Sequence, residues 1–146
     1  MADRFYQRLT IGGNPGDDYI KIMDLLIDET GLEFEEESSE GLVVGCSDAA
    51  PGDFEEAKKA LREAGLSYDH FCEAKWDHEG EIWYWRPGLN PDGETECHAW
   101  SRQGGVQTVT VEDLQEFRES GQTLQEVIDM IRIPPLPEWV QPKEVS

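Results

Sequence analysis

The sequence predicts an α+β domain whose strands and helices follow the order βαββαβ, and three observations support this prediction. Several short segments alternate apolar and polar residues, as strands with one buried face do. Two longer segments carry apolar residues at helical spacing, and Gly or Pro clusters separate these segments from the strands. The 146 residues are 38% hydrophobic and include five Trp and five Phe, which is sufficient for the core of one domain.

The first strand and the first helix flank a glycine-rich turn. Residues 5–11 place Leu9 and Ile11 on one side of an extended segment, and the turn at 12–16 ends it. Residues 17–30 then carry apolar side chains at helical spacing. The next residue is glycine, so we expect the helix to end at Gly31.

A hairpin follows the first helix. Leu32 and Phe34 alternate with glutamates, as in a strand with one buried face. Residues 38–41 are typical of a turn, and residues 42–46 are rich in valine, which favours strands. The second and third strands are therefore predicted to pair.

The second helix is predicted to begin after residues 51–53 and to end at Gly65. Its apolar stripe contains Phe54, Ala57, Leu61 and Ala64. Five of its polar residues are expected to face water: Glu55, Glu56, Lys58, Lys59 and Arg62. The fourth strand, residues 68–76, is expected to place Tyr68, His70, Cys72, Ala74 and Trp76 on one face.

This order matches the ferredoxin-like split βαβ arrangement, in which two helices cover one face of a four-stranded antiparallel sheet. An additional β-hairpin is predicted from residues 81–86 and 95–100, which flank a type I turn at 90–93. Two C-terminal helices are predicted to start at Thr110 and Thr123, each three residues before an acidic residue. The predicted organisation is a single α+β domain over residues 1–132 and a Pro-rich C-terminal tail over 133–146.

Charge is the strongest functional signal. The formal net charge is −20, and twelve acidic residues but no basic residue lie between Lys21 and Lys58. Like charge at this density opposes compaction by self-repulsion, so a role in binding is expected. The predicted partner-binding residues are Asp24, Asp28, Glu29, Glu33, Glu35, Glu36, Glu37, Glu40, Trp83 and Trp85.

Rows of carboxylates can imitate a nucleic acid. Side chains two residues apart on a strand are about 6.6 Å apart, whereas one DNA strand carries a charge about every 3.4 Å. Glu33, Glu35 and Glu37 are expected to form such a row on one face of their strand. In size and charge the chain resembles the small acidic inhibitors of restriction and CRISPR complexes that phages and mobile elements carry. This resemblance implies a non-catalytic nucleic-acid mimic that binds the basic surface of a DNA- or RNA-handling protein.

Three alternatives to this function remain open. The acidity can instead be a solubilising surface, as in halophiles. A small cytoplasmic enzyme or a metal or thiol site can lie around Cys72, Cys97 and His98. A protein-interaction adaptor can use the aromatic strand with Trp83 and Trp85.

The aromatic residues Trp76, Trp83, Trp85 and Trp100 are otherwise expected to pack under the C-terminal helices. Direct nucleic-acid binding is not expected, because only 12 Lys and Arg residues stand among 32 acidic ones. No catalytic residue, metal or cofactor is predicted. No apolar run reaches the roughly 18 residues of a membrane span, so a cytoplasmic monomer or homodimer with free thiols is expected.

Overall fold

The computed structural model describes residues 5–29, 31–49, 54–73, 80–99, 102–103, 106–107 and 109–141. These residues form a mixed α+β structure with a six-stranded antiparallel sheet and four α-helices. The six strands of the sheet are β1 (Phe5–Gly12), β2 (Glu33–Ser38), β3 (Gly41–Ala49), β4 (Ser67–Cys72), β5 (Glu81–Trp85) and β6 (Cys97–His98). A separate two-stranded ladder contains β7 (Arg102–Gln103) and β8 (Val106–Gln107). The helices are α1 (Tyr19–Asp24), α2 (Glu55–Glu63), α3 (Val111–Glu119) and α4 (Leu124–Ile131).

The strand order of the main sheet is β2-β3-β1-β4-β5-β6, and every neighbouring pair is antiparallel. Strand β1 therefore lies inside the sheet, and β2 and β6 are its edges. The predicted hairpin between the second and third strands is present, with Ser38 paired to Gly41 at its closed end. The pairing of β5 with β6 is the predicted additional hairpin.

Helices α1 and α2 cover one face of this sheet, which we call the covered face. Leu9 on β1 lies between Val44 of β3 and His70 of β4 in the register, so all three point to this face. The strands contribute Leu9, Ile11, Leu42, Val44, Tyr68 and Trp85 to the core, and the helical segments contribute Ile22, Leu26, Phe54, Ala57 and Leu61. The alternation predicted for the first and fourth strands is confirmed, because Leu9, Ile11, Tyr68, His70 and Cys72 are all buried.

The first helix is less regular than the predicted single helix over 17–30. A 3₁₀ turn (Gly16–Asp18) precedes α1, and a π-helical turn (Leu25–Glu29) follows it. Ile22 and Leu26 are four residues apart and both reach the core, as residues at this spacing on one helical face do. The Leu26 carbonyl then accepts a hydrogen bond from the Leu32 N–H at 3.0 Å, which brings the chain into β2.

Two side chains of α2 differ from the prediction. Lys58 was expected to face water but is only 2% exposed, and Ala64, expected on the apolar stripe, is exposed. Lys58 lies four residues after Phe54 and three before Leu61, so it lies on the same side of α2 as these core residues. The helix is shorter than predicted, and Ala64 is only its C-terminal cap.

The extended segment predicted over residues 95–100 is also shorter in the structure, where β6 begins at Cys97. Asp92 Oδ1 accepts hydrogen bonds from the backbone N–H groups of Glu94 and Thr95, both at 2.9 Å. Thr95 therefore belongs to the turn rather than to the strand. Within the predicted fourth strand, residues 74–76 lie outside the described residues.

Both predicted C-terminal helix starts are confirmed, and the capping box expected at Thr123 with Glu126 is present; Thr110 with Asp113 forms a second capping box. The expectation that these helices cover the tryptophans is wrong for Trp85. Trp85 packs in the core with α1 and α2, and the described core cluster contains no residue of α3 or α4. Trp76 and Trp100 lie outside the described residues.

The C-terminal segment 133–141 lies against one end of the sheet. Its Pro134 carbonyl accepts a hydrogen bond from Arg86, and its Trp139 pairs with Gly13 in a parallel bridge. A Cβ atom at Gly12 would clash with the Pro137 carbonyl oxygen, so only glycine permits this approach. Trp139 is 3% exposed and belongs to the core cluster. In the part of the chain that the structure describes, no helix combines the length and apolar composition needed to cross a bilayer.

Candidate binding surface

Exposed carboxylates follow the chain from α1 through β2 to the hairpin turn. We call Asp24, Asp28, Glu29, Glu33, Glu36 and Glu40 the acidic surface, and all six residues are exposed. Asp24, Asp28 and Glu29 lie on the helical side of the sheet, whereas Glu33 and Glu36 point to its other face. Because β2 is an edge strand, no strand of the described sheet covers its outer side. Charges along an edge also prevent another strand from pairing with it.

A β-bulge in β2 alters the predicted row of Glu33, Glu35 and Glu37. Phe34 pairs with Val44 and Glu36 with the adjacent Val43, so Glu35 is the extra residue. The register then places Glu37 opposite Leu42, on the covered face, whereas Glu33 and Glu36 point to the opposite face. Strict alternation predicts all three glutamates on one face, and the bulge is the reason they are not.

Two glutamates of β2 are held by neutral donors. The hydroxyl of Tyr6 donates to both Glu35 oxygens at 2.7 Å. Glu37 accepts hydrogen bonds from Tyr19, from Trp139 Nε1 at 2.8 Å and from Gln141. The pKa values of the two tyrosines are raised by burial and then by the adjacent glutamates. Hydrogen bonds from neutral groups orient the two carboxylates, and neither carboxylate forms an ion pair among the described residues.

Among the described residues, no basic side chain forms an ion pair with the acidic surface. The ion pairs among the described residues join Lys58 to Glu55 and Glu96, and Arg86 to Asp69. His98 Nε2 also lies 3.8 Å from Glu81 Oε1. The guanidinium of Arg8 instead lies 4.6 Å from the centroid of the Phe71 ring. The acidic surface therefore presents its charge to solvent.

The two tryptophans predicted to bind a partner differ in exposure. Trp85 is 4% exposed and stacks on Tyr68 with 6.2 Å between ring centroids. Trp83 is half-buried between His70 and His98, with centroid distances of 5.1 Å and 5.4 Å. The Trp85 ring belongs to the core and offers no surface to a partner, while part of Trp83 stays accessible.

The residues of the alternative thiol or metal site do not converge. In the register, Cys72 pairs with Glu81 and His98 with Trp83 on the covered face, whereas Cys97 pairs with Tyr84 on the opposite face. Burial, then Glu81 and Glu73, raise the pKa of the Cys72 thiol, which disfavours the reactive thiolate. Among the described residues, no group of three His, Cys, Asp or Glu side chains is placed to hold a metal ion.

A buried polar cluster lies under α2 and is not among the sequence-predicted sites. Lys58 Nζ donates to Glu96 Oε1 at 3.1 Å and lies 5.5 Å from the centroid of the Trp83 ring. His70 stacks on Phe54 and forms a 2.7 Å hydrogen bond with Gln7 through Nε2. Burial and then the charge of Lys58 lower the pKa of His70 to about 3. The position of Lys58 between Phe54 and Leu61 on one helical stripe is the sequence signal for its burial.

No family model, curated protein or solved structure matches the chain.

Proposed function

We propose that this chain is a non-catalytic acidic binding protein that imitates nucleic acid and occupies the basic surface of a DNA- or RNA-handling protein or complex. The observation that carries the proposal is the acidic surface, whose exposed carboxylates have no Lys or Arg partner among the described residues. A protein that inhibits a restriction or CRISPR complex in this way needs no catalytic residue, metal or cofactor.

Electrostatic attraction explains how such a surface would act. Clustered carboxylates increase the rate at which a basic partner is encountered, and they disfavour acidic partners. Glu35 and Glu37 are already oriented by tyrosine and tryptophan donors, so little ordering is required on binding. The proposed contacts also include Trp83, Glu35 and Glu37, which are not part of the acidic surface. Trp85 is buried and is therefore no longer a proposed contact.

We also propose that residues 5–72 form a ferredoxin-like unit to which the β5–β6 hairpin and the C-terminal helices are added. The order β2-β3-β1-β4 with antiparallel neighbours supports this, as does the position of α1 and α2 on one face. We place the protein in the cytoplasm as a monomer or homodimer. The unpaired state of Cys46, Cys72 and Cys97 fits a reducing compartment.

Two variants that lose the same number of charges test the binding proposal. The acidic-surface variant carries D24N, D28N, E33Q and E36Q, none of which removes a side-chain hydrogen bond between described residues. The control variant carries E56Q, E112Q, E116Q and E119Q, which are exposed residues on α2 and α3. One exposed ion pair is worth about 0 to 1 kcal/mol, so single substitutions should be nearly silent and the four together should weaken binding.

The immobilised protein should capture a nucleic-acid-binding protein from a cell lysate at low ionic strength, and a DNA or RNA competitor should displace it. The acidic-surface variant should lose this capture, and the control variant should retain it. The protein itself should not retard single-stranded RNA in a mobility-shift assay. If the DNA or RNA competitor does not displace the captured protein, or if both variants lose capture equally, the acidic surface does not imitate nucleic acid.

A further inference from the structure

A groove of about 260 Å³ lies between α2 and the first helical segment, by which we mean the 3₁₀ turn, α1 and the π turn over residues 16–29. Its apolar lining consists of Ile22 and Leu25 on one side and Ala60 and Ala64 on the other. Ala60 on α2 and Ala64 at its C-terminal cap are four residues apart and have only a methyl group, so they leave the groove unfilled. Its volume is below the roughly 300 to 1,000 Å³ of sites for drug-sized ligands, so it suits a single side chain.

Charged groups surround this apolar lining. Asp18 and Glu29 lie at the first helical segment and Glu63 at α2, and all three are exposed. Lys21 is the single basic residue among the described lining residues. No ion pair among the described residues involves Asp18, Glu29 or Glu63. The groove therefore combines an apolar floor with an excess of negative charge at its rim.

An occupant that matches both features has an apolar stem and a positively charged end. Arginine and lysine have this chemistry, because their methylene groups pack on apolar surfaces while the charged end stays hydrated. Arginine fits better, since its planar guanidinium can donate to two carboxylates at once.

We infer that the α1–α2 groove is the anchor site for an arginine side chain of the basic partner. The inference rests on the proposed function, because the groove shares Glu29 with the acidic surface and would fix one residue of the same partner. The acidic surface would provide attraction over distance, and the groove would provide the local contact that fixes the position of the partner.

The protein is titrated with N-acetyl-arginine N-methylamide, and the ¹³C chemical shifts of the Leu25, Ala60 and Ala64 methyl groups are measured by NMR at each step. Saturable shifts are expected with arginine and, more weakly, with the lysine analogue. The citrulline analogue has the same shape without the charge, and it should bind at least about tenfold more weakly, as the loss of two or three exposed ion pairs implies.

Two substitutions at the exposed Ala64 provide matched controls. Ala64→Leu fills the groove and should abolish the saturable shifts of Leu25 and Ala60, whereas Ala64→Ser leaves room and should keep them. Equal shifts with arginine and citrulline, or shifts that persist in Ala64→Leu, would overturn the inference.

The two proposals fail in different ways. If arginine causes no saturable shift while the parent still captures a partner that nucleic acid displaces, the groove inference is wrong and the proposed function stands. If arginine binds but the acidic-surface variant captures as the parent does, the proposed function is wrong and the groove stands as a site for a cationic side chain.

Discussion

The side chain of Lys58 is buried in the folded protein. It is 3% exposed, and the side chain of its partner Glu96 is 18% exposed. Burying an ammonium group is costly unless an opposite charge compensates it. The pair therefore links α2 to the segment before β6 mainly by avoiding an uncompensated charge. The same ammonium group lies near His70 and helps to keep this imidazole neutral.

Glu96→Gln should destabilise the fold by about 3 kcal/mol, because the Lys58 ammonium then keeps only Glu55, at 3.9 Å. The double variant Lys58→Met with Glu96→Gln should regain most of this loss, since Met fills a similar apolar volume without charge. Urea unfolding of the parent, both single variants and the double variant measures the coupling. If the two single substitutions change the free energy of unfolding additively, Lys58 and Glu96 are not energetically coupled.

The stability of the fold should fall in acid because of His70. Its folded-state pKa of about 3 is below the ordinary value of 6.5, so the unfolded chain binds the proton more readily. The contribution is complete above pH 6.5 and is lost as the pH falls towards 3, by an amount on the order of 3 to 5 kcal/mol. Unfolding of the parent and of His70→Gln between pH 3 and 7 should show a shallower acid decline in the variant. Parallel pH profiles would exclude His70 as the cause.

The C-terminal elements divide into one segment that packs and two helices that pack little. Trp139 is 3% exposed, and its indole lies 6.3 Å from the Tyr19 ring and donates to Glu37. Helix α3 buries none of its residues, and α4 buries only Val127. Stability in this region should therefore be uneven, with the last segment more protected than the helices before it.

Trp139→Ala should cost about 3 to 5 kcal/mol, since it empties a core position and removes the donor to Glu37. Trp139→Phe keeps an aromatic ring and should cost less, because it loses chiefly the hydrogen bond. Thermal unfolding with tyrosine fluorescence can rank the two variants. A Trp139→Ala protein as stable as the parent would show that this segment does not stabilise the sheet.

Removing the caps of α3 and α4 should affect these helices locally. Thr110→Ala and Thr123→Ala each lose a capping box, which is worth about 1 kcal/mol. Because the helices contribute little to the core, we expect faster amide hydrogen exchange within them and an almost unchanged midpoint of global unfolding. A lower midpoint of global unfolding in either variant would show that these helices fold together with the sheet.

Self-repulsion acts on the whole molecule, whose net charge is −20. Salt shortens the distance over which charges interact, from about 10 Å at 0.1 M to about 3 Å at 1 M. Screening should therefore favour the folded state, which holds these charges closer together than the unfolded chain does.

Sodium chloride should raise the melting temperature of the parent by several degrees, since about 1 kcal/mol corresponds to roughly 2–4 °C for a chain of this size. The variant with D24N, D28N, E33Q and E36Q should melt higher at low salt and gain less from added salt. Calorimetry across a salt series measures both quantities. A melting temperature independent of salt would mean that repulsion is not a significant term.

The βαββαβ order, the buried sides of β1 and β4, the starts of α3 and α4 and the hairpin pairings of the main sheet could be predicted from the sequence. These features depend on residue spacing and on local hydrogen bonds, which neighbouring residues determine. The exposure of Asp24, Asp28, Glu33 and Glu36 likewise agrees with their charge.

Tertiary structure alone decided the carboxylate partner of the buried Lys58, the core position of Trp85 and the bulge at Glu35. Each involves a residue distant in sequence. Lys58 pairs with Glu96, Trp85 packs on Tyr68, and Glu35 accepts a hydrogen bond from the Tyr6 hydroxyl. The α1–α2 groove also depends on how two helices pack across the sheet. Local patterns indicate which face of an element is apolar, whereas long-range packing determines which polar groups are buried with it and which apolar surfaces stay open.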